Sequence, residues 1–208
     1  MAGNSVTWSD AKEPLERATA ALDSASRASL ATWIELLCAW NARIDLTAAR
    51  SGGELVDLML ADALVLAPRM AKGARVVDVG SGAGAPGLAL ALARPDLAVT
   101  LCEPLVKRAS FLRTVVGTVG RADIVLERGR GEDLRGSWDV AISRATLAPP
   151  LWLALGATLA PATWVLLAKD EPPTIDGVSA DDDVTYEWPE THAARRAIRY
   201  SRPTGRSG

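Results

Sequence analysis

Histidine, cysteine and aromatic side chains are scarce in this sequence, and each scarcity narrows its chemistry. The single histidine, His192, sits in a charged C-terminal stretch, and no serine nucleophile elbow occurs. Histidine-based nucleophilic catalysis and a histidine metal site are therefore not expected. Two cysteines, Cys38 and Cys102, lie inside apolar stretches, with no Cys-x-x-Cys spacing. They read as small core residues, and neither a disulfide framework nor a metal site is predicted. Basic residues are not in excess: 23 Lys and Arg stand against 25 Asp and Glu, a net charge of -2. The totals thus do not announce a strongly basic nucleic-acid binder, although local charge still could. No uninterrupted apolar run reaches the ~18 residues of a membrane span. Met1 to Asp10 lacks a basic segment followed by an apolar one, so no signal peptide is predicted. A cytoplasmic protein without membrane or metal partners is the expectation. No internal repeat or low-complexity tract is present.

What is there suffices for a core: 208 residues, 49% of them hydrophobic. The N-terminal third reads as helical. Ala18, Ala21 and Leu22 form one apolar stripe after Pro14. Leu30, Trp33, Ile34, Leu37 and Trp40 form a second at helical spacing, which Asn41 ends. Leu55, Leu58, Met59 and Ala63 begin a third, stopped by Pro68. From Arg75 the grain changes. Short β-rich runs occur at 75–79, 98–102, 123–127, 139–143 and 163–168, with helical segments at 86–93, 105–116 and 151–159. Such alternation predicts an α/β fold with a mostly parallel, doubly wound sheet. The expected organisation is an N-terminal helical extension over 1–70, packed on a core over 71–208. The tail divides by charge. Acids run from Asp170 to Glu190, and Arg195, Arg196, Arg199, Arg202 and Arg206 follow with no acid among them. A solvated face or frayed end is the ordinary reading of such runs; a basic strip touching nucleic-acid phosphate is the other.

The most informative stretch is Val76-Val77-Asp78-Val79-Gly80-Ser81-Gly82-Ala83-Gly84-Ala85-Pro86-Gly87. A strand, a glycine loop and a helix start follow one another, and ligands of open α/β sheets sit at such strand ends. Gly82 to Gly87 literally satisfies the dinucleotide pattern, which alone is weak. Read instead as Asp78-x-Gly80-x-Gly82-x-Gly84, with Ser81 in the loop, it is the pattern of S-adenosyl-L-methionine sites. A carboxylate at Asp78 suits a cationic ligand and opposes a pyrophosphate. Glycines let the backbone approach closely, and Pro86 suits a first helical turn. Glu103, at the end of the next strand, stands where an acid binds ribose hydroxyls in both cofactor classes. Glu132 and Asp133, after the third strand, are candidates for the adenine end, with solvated loop charges as the alternative.

Several motifs together resemble the GidB (RsmG) family. They are Trp40-Asn41-x-x-x-Asp45-Leu46-Thr47-Ala48, the loop with Pro86-Gly87, Arg94-Pro95-Asp96, Glu103-Pro104-Leu105-Val106-Lys107-Arg108 with Phe111-Leu112, and Ile142-Ser143-Arg144-Ala145. The resemblance implies a Rossmann-like class I S-adenosylmethionine-dependent methyltransferase with N-terminal helices, acting on N7 of a guanine in 16S ribosomal RNA. By matching position, Gly80, Gly82, Gly84 and Glu103 are implied cofactor contacts. Asn41, Arg130, Arg144 and Lys169 are implied around the cofactor or target guanosine, and Lys107 and Arg108 are candidates for phosphate. Family members usually carry Asp at Glu103, Asn at Asp45, a His near Leu58 and Met59, an aromatic at Thr146, and glycine after Lys169. These departures bear on RNA contact more than on the cofactor loop.

Guanine N7 is already nucleophilic, so transfer to it requires alignment and no obligatory general base. Arg144, past the fourth strand, is the candidate catalytic side chain, as an orienting donor to guanine O6 or a phosphate. Trp138 and Trp152 flank the fourth strand as candidate base clamps or core residues. Partners expected are 16S rRNA or the small ribosomal subunit, with the chain a monomer. A methyltransferase of another RNA or small molecule, or a non-catalytic cofactor- or RNA-binding module, remain open at this point. A nicotinamide dehydrogenase lacks the proton relay it needs.

Overall fold

A computed structural model of the protein describes residues 6–202; the start of the Met1–Asp10 segment and Arg206 lie outside the described residues. Seven strands run β1 (Arg75–Val79), β2 (Ala98–Cys102), β3 (Val125–Glu127), β4 (Val140–Ser143), β5 (Ala162–Leu167), β6 (Ser179–Glu187) and β7 (Ala194–Ser201). They form one sheet in the order β3-β2-β1-β4-β5-β7-β6. The first five are parallel, and β7 runs antiparallel to both of its neighbours, β5 and β6. β1 pairs with both β2 and β4, so strand order reverses there, and the C-terminal ends of these strands mark the ligand side of the sheet. β1 and β2 are buried along four of five residues each, as a central parallel strand covered on both faces requires.

The helices are α1 (Trp8–Ala18), α2 (Ser24–Asn41), α3 (Gly52–Val56), α4 (Asp62–Leu66), α5 (Gly87–Ala93), α6 (Val106–Thr118) and α7 (Pro149–Leu159). α1 starts earlier than the stripe after Pro14 suggests and runs through that proline, while Ala21 and Leu22 fall beyond its end. Pro14 cannot bond the Asp10 carbonyl, and Gly52 packs there; a Cβ on Gly52 would lie 1.8 Å from that oxygen. α2 buries the predicted Leu30, Trp33, Ile34 and Leu37. The third predicted helix is α3, a π turn at Asp57–Ala61, α4 and a 3-10 turn at Ala67–Arg69 in succession, with Pro68 inside that last turn. All seven residues of α5 are buried, and N-terminal helices and sheet share one apolar core with it. Arg94 ties the two together, bonding Asp96 through Nε (2.7 Å) and the Ala67 carbonyl through Nη1 (2.5 Å).

Over the described residues the tail is ordered strand and not a frayed end, while its charged side chains form the solvated face that is the other half of the ordinary reading. Its acidic and basic runs are neighbouring strands, β6 and β7. Arg196 pairs with Asp183 (2.6 Å) and Arg199 with Asp181 (2.7 Å) across them. Both pairs run diagonally across the two strands, Asp183 lying opposite Ile198 and Asp181 at a register shift, so charges that look like two separate blocks become neighbours. Two buried acids of the π-turn region anchor the hairpin. Asp57 accepts from the Thr191 N–H and hydroxyl, both at 2.7 Å. Asp62 accepts from Tyr186 Oη and Trp188 Nε1, both at 2.8 Å.

Candidate active site

The C-terminal ends of β1, β2 and β4 open on a cavity of about 620 Å³, floored by the glycine loop. Gly80 and Ser81 N–H both donate to the Cys102 carbonyl, at 2.8 and 3.1 Å, which turns the chain back over β2. Gly80, Gly82 and Gly84 have φ of +75, +57 and +115, a region that favours glycine. At Gly80 packing adds a second reason, since a Cβ would lie 2.1 Å from Thr146 Oγ1. Gly82 differs: a Cβ there would meet only the Gly80 carbonyl at 3.8 Å. Bare backbone is thus presented to the cavity. Trp33 of α2 steadies the loop by donating Nε1 to the Ala83 carbonyl at 3.0 Å.

Glu103 stands in the cavity wall with 2% of its surface exposed. Its Oε2 accepts from the Gly82 N–H and its Oε1 from the Leu105 N–H, both at 2.8 Å. A carboxylate accepts about four hydrogen bonds, so each oxygen keeps a lone pair for a ribose hydroxyl. Bare backbone at Gly82 beside an acid with spare acceptor capacity fits the nucleoside part of S-adenosylmethionine.

Asp78 does not line this cavity, which corrects its expected contact with the ligand's cationic end. It lies wholly buried beneath the loop, where Oδ2 accepts from the Gly87 N–H at 3.1 Å and Oδ1 has no partner. The side chain fixes the start of α5, and Gly87 is small because a Cβ would come within 2.4 Å of Asp78 Cβ. Burial pushes the Asp78 carboxyl up to about 6, opposed by the hydrogen bond from Gly87 and by the charge of Arg144. The Cys102 thiol is pushed up to about 12 and that of Cys38 to about 11, mainly by burial, as inert core thiols.

Arg144 borders the cavity beside Ala145 and Thr146. Its guanidinium does not project freely. Nη1 donates to the Leu58 carbonyl in the π turn and to Asp62 Oδ2 at 3.2 Å. Nε and Nη2 keep their N–H groups. Arg108, on the first turn of α6, also lines the cavity, whereas its neighbour Lys107 is exposed and does not. Ser81 lines it too, with its hydroxyl turned down to the Asp78 carbonyl at 3.0 Å.

The other predicted residues lie elsewhere. Asn41 Oδ1 accepts from the Leu46 and Thr47 N–H groups at 2.8 and 3.0 Å, and its Nδ2 donates to the Thr47 carbonyl. It shapes the loop that delivers Leu46 to the cavity and stays behind it. Arg130 and Asp133 line a separate hollow of about 270 Å³ past β3, with Trp138 in its wall. Glu132 is exposed on the 3-10 turn Gly131–Asp133, away from the cavity lining. Lys169 is exposed beyond the end of β5 and does not line the cavity.

Sequence reasoning missed Asp62, Tyr186 and Trp188. The available signal was the pair Asp57 and Asp62 inside an otherwise apolar helical run, five residues apart as a π turn allows. The departures from the family pattern also lie closer to the cofactor loop than expected. Leu58, Met59 and Thr146 all line the cavity, and the Thr146 hydroxyl donates to the Val79 carbonyl at 3.1 Å.

The family described as GidB, rRNA small subunit methyltransferase G, matches over residues 26–170. The ribosomal RNA small subunit methyltransferase G of Anaeromyxobacter dehalogenans (strain 2CP-C) is 36% identical over 195 residues, covering 87% of this chain and 91% of that protein. The protein of the same name from Mycobacterium leprae (strain TN) is 45% identical over 121 residues, or 56% of this chain and 49% of that one. In fold, the chain is similar to M. jannaschii TYW2 in complex with AdoMet, with a TM-score of 0.54 at 12% identity over 77% of this chain and 80% of that one. The chain belongs to the GidB family, the rRNA small subunit methyltransferases G, which are S-adenosylmethionine-dependent enzymes of Rossmann-like fold.

Proposed function

We propose that the chain transfers a methyl group to N7 of a guanine in 16S rRNA, by in-line displacement without a general base. The observation that carries the reading is the continuity of one cavity from the spare acceptors of Glu103, past the bare backbone of Gly82, to Arg144. When bound, S-adenosylmethionine supplies an electrophilic methyl group on a sulfonium. The protein's part is alignment. Glu103 accepts ribose hydroxyls, Leu105 offers its apolar side chain at the rim, and Arg144 orients the guanine through the N–H groups it has left. Holding two reactants in line lowers a barrier by roughly 7–11 kcal/mol. N7 loses no proton on attack, so no base is required, and Asp62 beside Arg144 is already held by three donors. Arg108 at the rim is placed for phosphate, and the small subunit is the proposed form of the substrate. One copy of the chain, acting in the cytoplasm, is part of the same reading.

A second substrate is favoured by one observation: Leu58, Met59 and Thr146, where the family pattern differs, line the cavity itself. The purified chain with tritiated S-adenosylmethionine tests both readings against small subunits, free RNAs and small metabolites. Label at guanine N7 in the small subunit is expected. Label only in another RNA or a metabolite would replace the substrate, and binding without transfer would leave a non-catalytic module. Arg144→Ala should retain cofactor affinity and lose transfer; unchanged transfer would remove Arg144 from the reaction.

A further inference from the structure

We propose that the target guanine, flipped out of its RNA stack, enters a second cavity on the far side of Arg144, and that Arg195 stacked on Trp188 forms its outer lip. The proposal rests on the guanine reading above. The cavity, of about 260 Å³, lies between the C-terminal ends of β4 and β5 and the β6–β7 hairpin. It shares Leu58, Arg144 and Ala145 with the cofactor cavity, so ligands in the two are immediate neighbours. A base acted on by an enzyme must leave the stack and find a pocket that covers its faces and reads its edge.

This cavity has those parts. Trp152 and Trp188, 3% and 5% exposed, give it flat apolar walls. Both indoles are fixed, Trp152 Nε1 to the Trp164 carbonyl and Trp188 Nε1 to Asp62, each at 2.8 Å. The Arg195 guanidinium lies 3.8 Å over the Trp188 ring, a planar cation on which a base or its neighbour stacks. The polar groups are mixed in sign. Arg144 offers donors for guanine O6. Among the described residues Asp62 Oδ2 accepts from Arg144 alone and keeps acceptor capacity for the guanine N–H groups. Asp170 at the rim adds a second carboxylate. Two acids and two arginines balance in the lining, which suits a neutral purine with donors and acceptors on one edge.

The test fills the cavity from a residue outside this polar set. Leu147 lines it and not the cofactor cavity. Transfer to small subunits is measured for the native chain, Leu147→Trp and Leu147→Phe, with S-adenosylmethionine affinity by calorimetry. The expected result is a loss of about tenfold or more in kcat for Leu147→Trp, a smaller loss for Leu147→Phe, and cofactor affinity within about twofold of native. Should tryptophan prevent folding, seen as lost cofactor binding and melting, the phenylalanine variant decides alone. Native kcat in a folded filled variant overturns the pocket. So does cofactor binding weakened about tenfold in a folded variant, which would assign the space to the cofactor. If the native chain itself leaves guanine N7 unlabelled, the functional reading fails first; if it labels N7 and filling has no effect, only the pocket fails.

Discussion

At the scale of single residues, two acids at strand ends divide the labour that the sequence assigns to both. Glu103 lines the cavity, and Glu103→Ala is expected to weaken S-adenosylmethionine binding by roughly 10- to 100-fold, the worth of charge-assisted hydrogen bonds. Calorimetry checks this, and Glu103→Asp should retain most of the affinity. Asp78 instead holds the start of α5. Its carboxyl is raised from 3.8 to about 6 by burial, so the fold favours the protonated form. The stability that this preference confers is fully present below 3.8 and lost as pH rises through about 6. From pH 7 to pH 5 the native chain should gain about 1.4 kcal/mol from this group relative to Asp78→Asn, which does not titrate. Denaturant unfolding of both proteins at the two pH values measures the difference; equal gaps would show that Asp78 titrates as an ordinary surface acid.

At the scale of elements, the sheet was readable because its signals are local. The four central strands are short apolar runs bounded by turns, and the predicted ranges fall within one residue of β1, β2, β4 and β5. The glycine loop and Glu103 were readable for the same reason. The hairpin was not. Its acids and arginines look like separate solvated blocks, and only pairing of β6 with β7 turns them into neighbours. Nor does sequence show that Asn41 and Asp78 serve backbone groups, since the same residue types serve ligands. The pairs across the hairpin are partly exposed, so Arg199→Ala should cost under about 1 kcal/mol. Asp62 is another matter. Its side chain is 3% exposed and joins the helical layer to Arg144, Tyr186 and Trp188. Asp62→Ala leaves three donors unpaired and should destabilise the chain by about 3–5 kcal/mol, read from its denaturation midpoint.

At the scale of the whole molecule, the helices, sheet and hairpin converge on Arg144. The helical layer supplies Leu58 and Asp62, the turn after β4 supplies Arg144, and the hairpin supplies Tyr186 and Trp188. A chain with net charge of -2 has no overall attraction to RNA, and on the proposed reading recognition is local, at Arg108, Arg144 and Arg195 around the two cavities. Such a surface predicts selectivity for one exposed guanine over duplex RNA in general. The most direct test is a chemical map of N7-methylguanosine in small-subunit RNA, made after incubation with S-adenosylmethionine and either the native chain or Arg144→Ala. A single N7-methylguanosine in 16S rRNA, present with the native chain and absent with the variant, is the predicted result. An unmethylated 16S rRNA with the native chain, or an equal signal with both, would contradict it.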